Sequence, residues 1–296
     1  MRDSFFEYHP IVNFMYFTAV ILFSMFLLHP VTLVISLTAA FSYSVYLKGS
    51  RAVRFFLLFM LPLLLLTAAI NPAFNHKGVT ILLYFQNGNP LTLESIMYGL
   101  AAAAMLITVI LWFSCYNCVM SSDKFIYLFG RIIPALSLVF SMALRFVPRF
   151  NAQYRIVKDA QRFMGRDSEK RSVISRLRHS ARILSIMVTW MLENAIDTAD
   201  SMKSRGYGLR KRTAFSIFRF NKRDKRELIA LTILSLYIIC GTAFGGMYFR
   251  FFPSVKTTPV SFFTVSQFAA YAVLCFIPHM INLREDRNWK RLQSKI

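Results

Sequence analysis

Three carboxylates stand where chemistry could occur. Glu193, Asp197 and Asp200 fall at i, i+4 and i+7, a spacing that sets them on one face of a helix. Carboxylates grouped in this way can hold a divalent cation or share acid–base work. No histidine lies among them, no second acidic motif matches them, and Lys and Arg crowd the surrounding sequence. Ion pairing is the simpler use, and exposed pairs contribute little. A membrane-embedded enzyme using Glu193, Asp197 and Asp200 is the alternative that this trio keeps open.

A second group follows directly. Ser204-Arg205-Gly206-Tyr207-Gly208 contains the Gly-Tyr-Gly of potassium filters, but a filter needs a preceding Thr-Val and a pore helix between two spans. Here an arginine precedes it. Read as a helix end, the stretch is more informative. Arg205 falls in the last turn, where a cation complements the helix dipole. Gly206 or Gly208 can take the left-handed cap. Asp197, Ser201 and Arg205 stand one above another. A comparable end comes earlier, with Arg162 before Gly165. Cys115 and Cys118 form a C-x-x-C at the end of an apolar run, with no second pair and no histidine beside them, so buried small residues are the reading. No phosphate-binding loop of the G-x-x-x-x-G-K-[ST] type exists in the chain.

These helix ends lie in a basic block, 121–226. It holds 23 of the 35 Lys and Arg residues and 8 of the 14 acidic ones, a net charge of +15. The block keeps apolar periodicity, unlike a disordered charged tail. Ile132–Leu144 reads as an interfacial or partly buried helix, with Pro134 in its first turn. A second helix runs from about Pro148 to Met164. Its apolar stripe is Phe150, Tyr154, Val157 and Met164, with Arg155, Lys158, Arg162 and Arg166 on another face and Gly165 as the stop. A third starts near Ser168 or Ser172 and carries Val173, Leu177, Ala181, Leu184, Val188 and Met191 at three- and four-residue steps. Ile183–Leu192 is almost wholly apolar and is expected to bury among the spans. The charges punctuate amphipathic helices and no nucleic-acid motif is present, so anionic lipid is the expected contact and nucleic acid is not.

The block sits between membrane-grade runs. Ile96–Val119, Leu228–Tyr248 and Val260–Ile281 are uncharged, and Val53–Ile70 has one Arg, Arg54, near its start. Each can cross a hydrocarbon core of about 30 Å. Ile11–Leu47 is uncharged for 37 residues, about 55 Å as a helix, which is too long for one crossing. His29-Pro30 divides it into two. The result is about six spans and no cleaved leader, since the first ten residues are not positive. With six spans, 32 Lys and Arg fall on the side of both termini and the block, and 3 on the other. Both termini and the block are therefore expected in the cytoplasm. The external loop holds the turn signals Asn71-Pro72, Lys77-Gly78 and Asn87-Gly88-Asn89-Pro90, with Val79–Phe85 a short β-like or interfacial run. The span interiors carry no Asp, Glu, Lys or Arg beyond their ends, whereas ion-coupled transporters normally need some. The expected fold is all-α: residues 1–120 with four spans, 121–226 as a helical coupling domain, and 227–296 with two spans and a basic tail. A membrane subunit with no energy source of its own is driven by another protein.

Several residues then carry a resemblance. They are Asn71-Pro72 with Gly78, Leu91-Thr92-Leu93-Glu94, Leu144-Arg145-Phe146-Val147-Pro148, and Ser204-Arg205-Gly206 preceded by Met202 and followed by Tyr207-Gly208. Over nearly its whole length the chain resembles the transmembrane component T of energy-coupling factor (ECF) transporters, the vitamin and metal importers of prokaryotes. The family signature is two Ala-Arg-Gly motifs, each ending a cytoplasmic coupling helix. The second is matched with Ser204 for Ala. The counterpart of the first is Asp159-Ala160-Gln161-Arg162-Phe163-Met164-Gly165, where Phe163 stands for Ala and Met164 for Arg. There Arg162 or Arg166 supplies the charge, or the contact is more hydrophobic.

The resemblance implies a non-catalytic transporter subunit of the bacterial plasma membrane. Its coupling helices dock on two ABC-type ATPase subunits through Ser204, Arg205 and Gly206 and through Ala160, Gln161, Arg162 and Gly165. Arg145, Pro148, Asp197, Ser201, Tyr207 and Gly208 support them. The spans hold one small substrate-binding membrane subunit (the S component). No cofactor binds this chain directly, and ATP-Mg sits on the partners.

Overall fold

The structure is a computed structural model and describes residues 3–84, 90–130, 134–164, 173–207, 218–259 and 261–293. A 3-10 turn, Ser4–Glu7, leads into α1 (Pro10–Phe26) and α2 (Pro30–Lys48). His29 and Pro30 divide the long apolar run as its length requires. Helix α3 (Ser50–Phe55), a π-helical turn (Phe56–Met60) and α4 (Leu61–Phe74) continue one another. Two short strands, β1 (Ile81–Tyr84) and β2 (Pro90–Thr92), pair antiparallel before α5 (Leu93–Val119). Then follow α6 (Ser122–Gly130), α7 (Pro134–Phe163), α8 (Val173–Ser204) and α9 (Lys222–Ala243). A two-residue pair, β3 (Phe249–Arg250) with β4 (Lys256–Thr257), precedes α10 (Phe262–Gln293). Among the described residues, five helical bodies are long and apolar enough to cross a membrane, and Pro10–Phe26, 17 residues, is a shorter apolar helix. The fold is that of an all-α polytopic membrane protein.

Two expectations change. Asn71-Pro72 is not a turn, because α4 runs on through Phe74. The two helices expected on either side of Pro148 are one, α7, with Pro148 inside it. Proline removes one rung of the ladder. Leu144, one turn earlier on the same face, is exposed like Pro148 itself, so the carbonyl left over is not sealed in a core and the helix carries through. The Asn87-Gly88-Asn89 turn lies outside the described residues.

The chain divides into two compact units, residues 1–125 with 218–296, and residues 126–217. The first has a core of large side chains from α1, α2, α5 and α10: Tyr16, Phe17, Trp112 and Tyr271 are fully buried. A small polar seam crosses it. Trp112 Nε1 donates to Ser36 Oγ at 2.9 Å, and Ser36 Oγ lies 2.7 Å from Ser24 Oγ. Inside a bilayer such hydroxyls tie helices together where apolar contact alone gives no preference over lipid.

The segment Asp3–His9 caps this core. Asp3 accepts from Tyr43 Oη of α2 at 2.8 Å and from Asn282 Nδ2 of α10 at 2.8 Å. Asn282 Oδ1 accepts the Ser4 N–H at 2.9 Å. Phe5 is wholly buried between Tyr16 and Phe17. Lys124 of α6 is buried, donates to Phe6 O and Val119 O, and lies over the Phe6 ring.

The connection before α5 is held by a buried carboxylate. Glu94 accepts from Thr80 N and, at 2.8 Å, from Thr80 Oγ1. Thr92 caps α5 through Ser95 N and donates to Lys77 O. Gly78 is needed here, because a Cβ on it would stand 2.5 Å from Glu94 Oε2.

In the second unit α7 and α8 pack through Val157, Ile183 and Met187, flanked by Phe150 and Trp190. The stripe of Leu177, Leu184, Val188 and Met191 is exposed within this unit. The α8 face turned to α7 is a different one, offset by about a quarter turn. Within this unit burial falls on Ile183 and Met187 rather than on the regular stripe.

Candidate functional site

Helix α8 ends in a built turn. Tyr207 N donates to Met202 O at 3.0 Å and Gly206 N to Lys203 O at 2.9 Å. That pair of bonds is the Schellman arrangement, which satisfies carbonyls a helix end would leave open. It requires a left-handed residue, and Gly206 has φ +76°. The hydroxyl of Ser204 folds back to Ser201 O at 2.9 Å. Arg205 is left exposed in the turn, just past Ser204, the last helical residue. Ser201 and Asp197 are exposed one and two turns earlier on its face. Gly208 lies outside the described residues.

The earlier end differs. Ala160, Gln161 and Arg162 occupy the last turn of α7. Ala160 and Arg162 are exposed, while Gln161 is 5% exposed and its Oε1 has no hydrogen-bond partner among the described residues. Phe163 is 89% exposed and Met164 58%, so this end presents apolar bulk where the other presents a cation. Gly165 and Arg166 lie outside the described residues. Arg145 and Pro148 are exposed in mid-α7.

The two ends are kept apart. Arg149 lies over the Trp190 ring, with 5.7 Å to its centroid, while Val157 clusters with Ile183 and Met187. The register descends, so α7 and α8 are antiparallel. From the Val157–Met187 level α7 continues about 9 Å to Phe163, and α8 continues about 26 Å the other way to Ser204, at 1.5 Å per residue. The helix pair therefore offers two separate terminal contacts.

The carboxylate trio gains no support as a reactive centre. Glu193, Asp197 and Asp200 are all exposed, and Asp200 pairs with Lys203 at 3.8 Å. Among the described residues no group of three or more His, Cys, Asp or Glu side chains is placed to hold a metal.

Residues around Asp3–His9 were missed from the sequence. His9 N donates to Asp224 Oδ1 at 3.3 Å, and Asp224 also takes the Asn221 N–H at the start of α9. Arg223 lies over Tyr8 and pairs with Glu285 at 3.7 Å. Burial pushes Tyr8 up, opposed by Arg223, and pushes the His9 imidazole down, opposed by Asp224. One signal was available: Asn282 directly follows the uncharged run Val260–Ile281.

The fold and these ends define a multi-pass helical membrane protein carrying a separate basic helical unit. No protein-family model matches the chain. It is 35% identical over 103 residues to the energy-coupling factor transporter transmembrane protein EcfT of Lactobacillus helveticus, over 34% of this chain and 37% of that protein. To the protein of the same name from Streptococcus thermophilus it is 30% identical, over 36% and 41%. It is also 26% identical over 181 residues to an uncharacterized protein, the MG181 homolog of Mycoplasma pneumoniae, over 57% and 42%. The chain spans about two fifths of the length of the curated relatives it matches. The similarity is to a transporter's transmembrane protein rather than to an enzyme.

Proposed function

We propose that the chain is the transmembrane coupling component of an ECF-type importer for a vitamin or other micronutrient in the bacterial plasma membrane. In this reading residues 121–226 are its cytoplasmic coupling domain, and both termini share that side by the distribution of Lys and Arg. The ends of α7 and α8 dock on two ABC-type ATPase subunits, which hold ATP-Mg and carry out hydrolysis. The spans hold a small substrate-binding membrane subunit. The observation that carries the reading is the capped end of α8. A 32-residue helix closes in a turn that fixes Gly206 and leaves Arg205 outward. A guanidinium held there can reach a partner carboxylate or carbonyl with two donors, which Lys cannot copy. Gly206 lets a partner's backbone approach closely. Separation of the two ends suits two partner subunits rather than one.

The test is Arg205→Glu in the assembled transporter. The variant is expected to insert normally and to lose at least about tenfold of ATP-driven uptake, the factor that 1.4 kcal/mol of lost contact gives, while ATP hydrolysis persists. Wild-type uptake would refute the role of Arg205. Mild detergent extraction of the wild type should recover two ATPase subunits with it, and an active chain that purifies alone would overturn the reading.

A further inference from the structure

We infer that the segment Asp3–His9 is a clasp that ties both ends of the basic block to the spans, and that Asp3, Lys124 and Asp224 are positioning residues for the relay proposed above, on which this inference rests. The observation is one of placement. Lys124 stands just before the second compact unit begins in sequence, and Asp224 just after it ends. The same seven residues hold both.

On one side Lys124 Nζ donates to Phe6 O and, at 3.2 Å, to Val119 O. Asn13, with its amide oxygen turned to the ammonium, accepts from Lys124 Nζ at 2.9 Å and donates to Phe5 O at 3.1 Å. On the other side Asp224 takes the His9 N–H, His9 meets the Phe220 ring edge-on at 5.0 Å, and Arg223 stacks on Tyr8 at 4.2 Å. Between them Asp3 joins α2 to α10 through Tyr43 and Asn282. Phe5 is 0% exposed, Lys124 2%, Asp224 2% and Asn282 3%.

Buried polar contacts of this density do not stretch. Leaving one donor or acceptor unpaired costs about 1–3 kcal/mol, and packed interiors shift between discrete arrangements rather than deforming smoothly. A displacement of the chain at Lys124 or at Asp224 therefore has two outcomes. It breaks a buried contact, or it carries the segment with it and so reaches α2 and α10. Through that second outcome a push on the block arrives at the spans from both of its ends at once.

Hydrogen exchange of the assembled transporter tests this, with Lys124→Met and Asp224→Ala as probes. Each variant is expected to raise exchange about tenfold at residues 122–130 and at 222–226 together, because one segment serves both. Loosening confined to the substituted end would overturn the clasp. Uptake per ATP hydrolysed is expected to fall several-fold in both variants, with hydrolysis and subunit recovery kept, and Asp224→Asn, which retains the Oδ1 acceptor, should restore most of it. Unchanged uptake per ATP in a variant with both ends loosened would overturn the positioning role. Tyr43→Phe, which deletes one hydroxyl from the same network, serves where the stronger variants do not assemble. If the relay reading itself is wrong, wild-type chain brings no ATPase with it, whatever the exchange shows.

Discussion

The main-chain N–H of His9 donates to the carboxylate of Asp224 at 3.3 Å across 215 residues of sequence. That bond brings the start of α1 to the start of α9, and both residues are buried. In sequence the second compact unit, residues 126–217, falls between Lys124 and Asp224. That unit carries the two helix ends on which the functional reading rests.

At the first of these ends, Gly206→Ala is expected to impair coupling without removing any functional side chain. An L-residue at φ +76° costs about 1 kcal/mol, and relief of that strain unwinds the turn that positions Arg205. Gly206→Asn, which tolerates the left-handed region better, should retain more uptake than Ala. Equal uptake by Gly206→Ala and wild type would show that the cap geometry is not used.

The other end should answer to a different substitution. Phe163 is 89% exposed beside Arg162, so apolar contact is expected to dominate there. Arg162→Ala should lower uptake less than Arg205→Ala does, and Phe163→Asp should lower it more than Arg162→Ala. Uptake assays on the three variants decide the order, and a loss at Arg162 as large as at Arg205 refutes it.

Lys124 gives a pH dependence with a definite sign. Burial pushes its ammonium down to about 8 from the usual 10.5, with the charge of Asp3 opposing. Between those values the unfolded chain binds a proton that the folded chain has released. Stability therefore rises with pH across that window, and the cost of the buried charge is fully present below it. Thermal melts of wild type and Lys124→Met in detergent, compared from pH 7.5 to 10.5, should differ by this rise. Parallel curves would show that Lys124 does not titrate there.

Gly241 is expected to be closed to any side chain. A Cβ at this position would fall 2.1 Å from the Gln267 carboxamide, so Gly241→Ala forces α9 and α10 apart or expels Gln267. The expected loss is about 1–3 kcal/mol. Adding Gln267→Ala should recover part of it, since the pair shares one space. A double variant no better than the single would place the strain elsewhere.

Much of this was legible in the residues. The spans could be read because a run of apolar residues either does or does not reach across about 30 Å of hydrocarbon. Gly206 could be read because a helix cap is a local matter of a few φ/ψ values. Pro148 misled, because proline's cost is also local while the continuity of α7 depends on what surrounds the missing rung. The α8 stripe misled as well: its regular spacing is plain, but spacing does not say which of two apolar faces finds a partner.

By itself, then, the sequence determined the membrane class, the basic block and the capped end at Ser204-Arg205-Gly206. Each follows from composition or from bonds a few residues long. Only the tertiary structure decided that Ile183 and Met187 rather than Val188 and Met191 meet α7. It alone set the two helix ends in opposite directions, and it alone gathered Asp3, Lys124, Asp224 and Asn282 around one short segment. Those outcomes depend on contacts between residues tens to hundreds of positions apart, and no local pattern specifies which distant groups will come together.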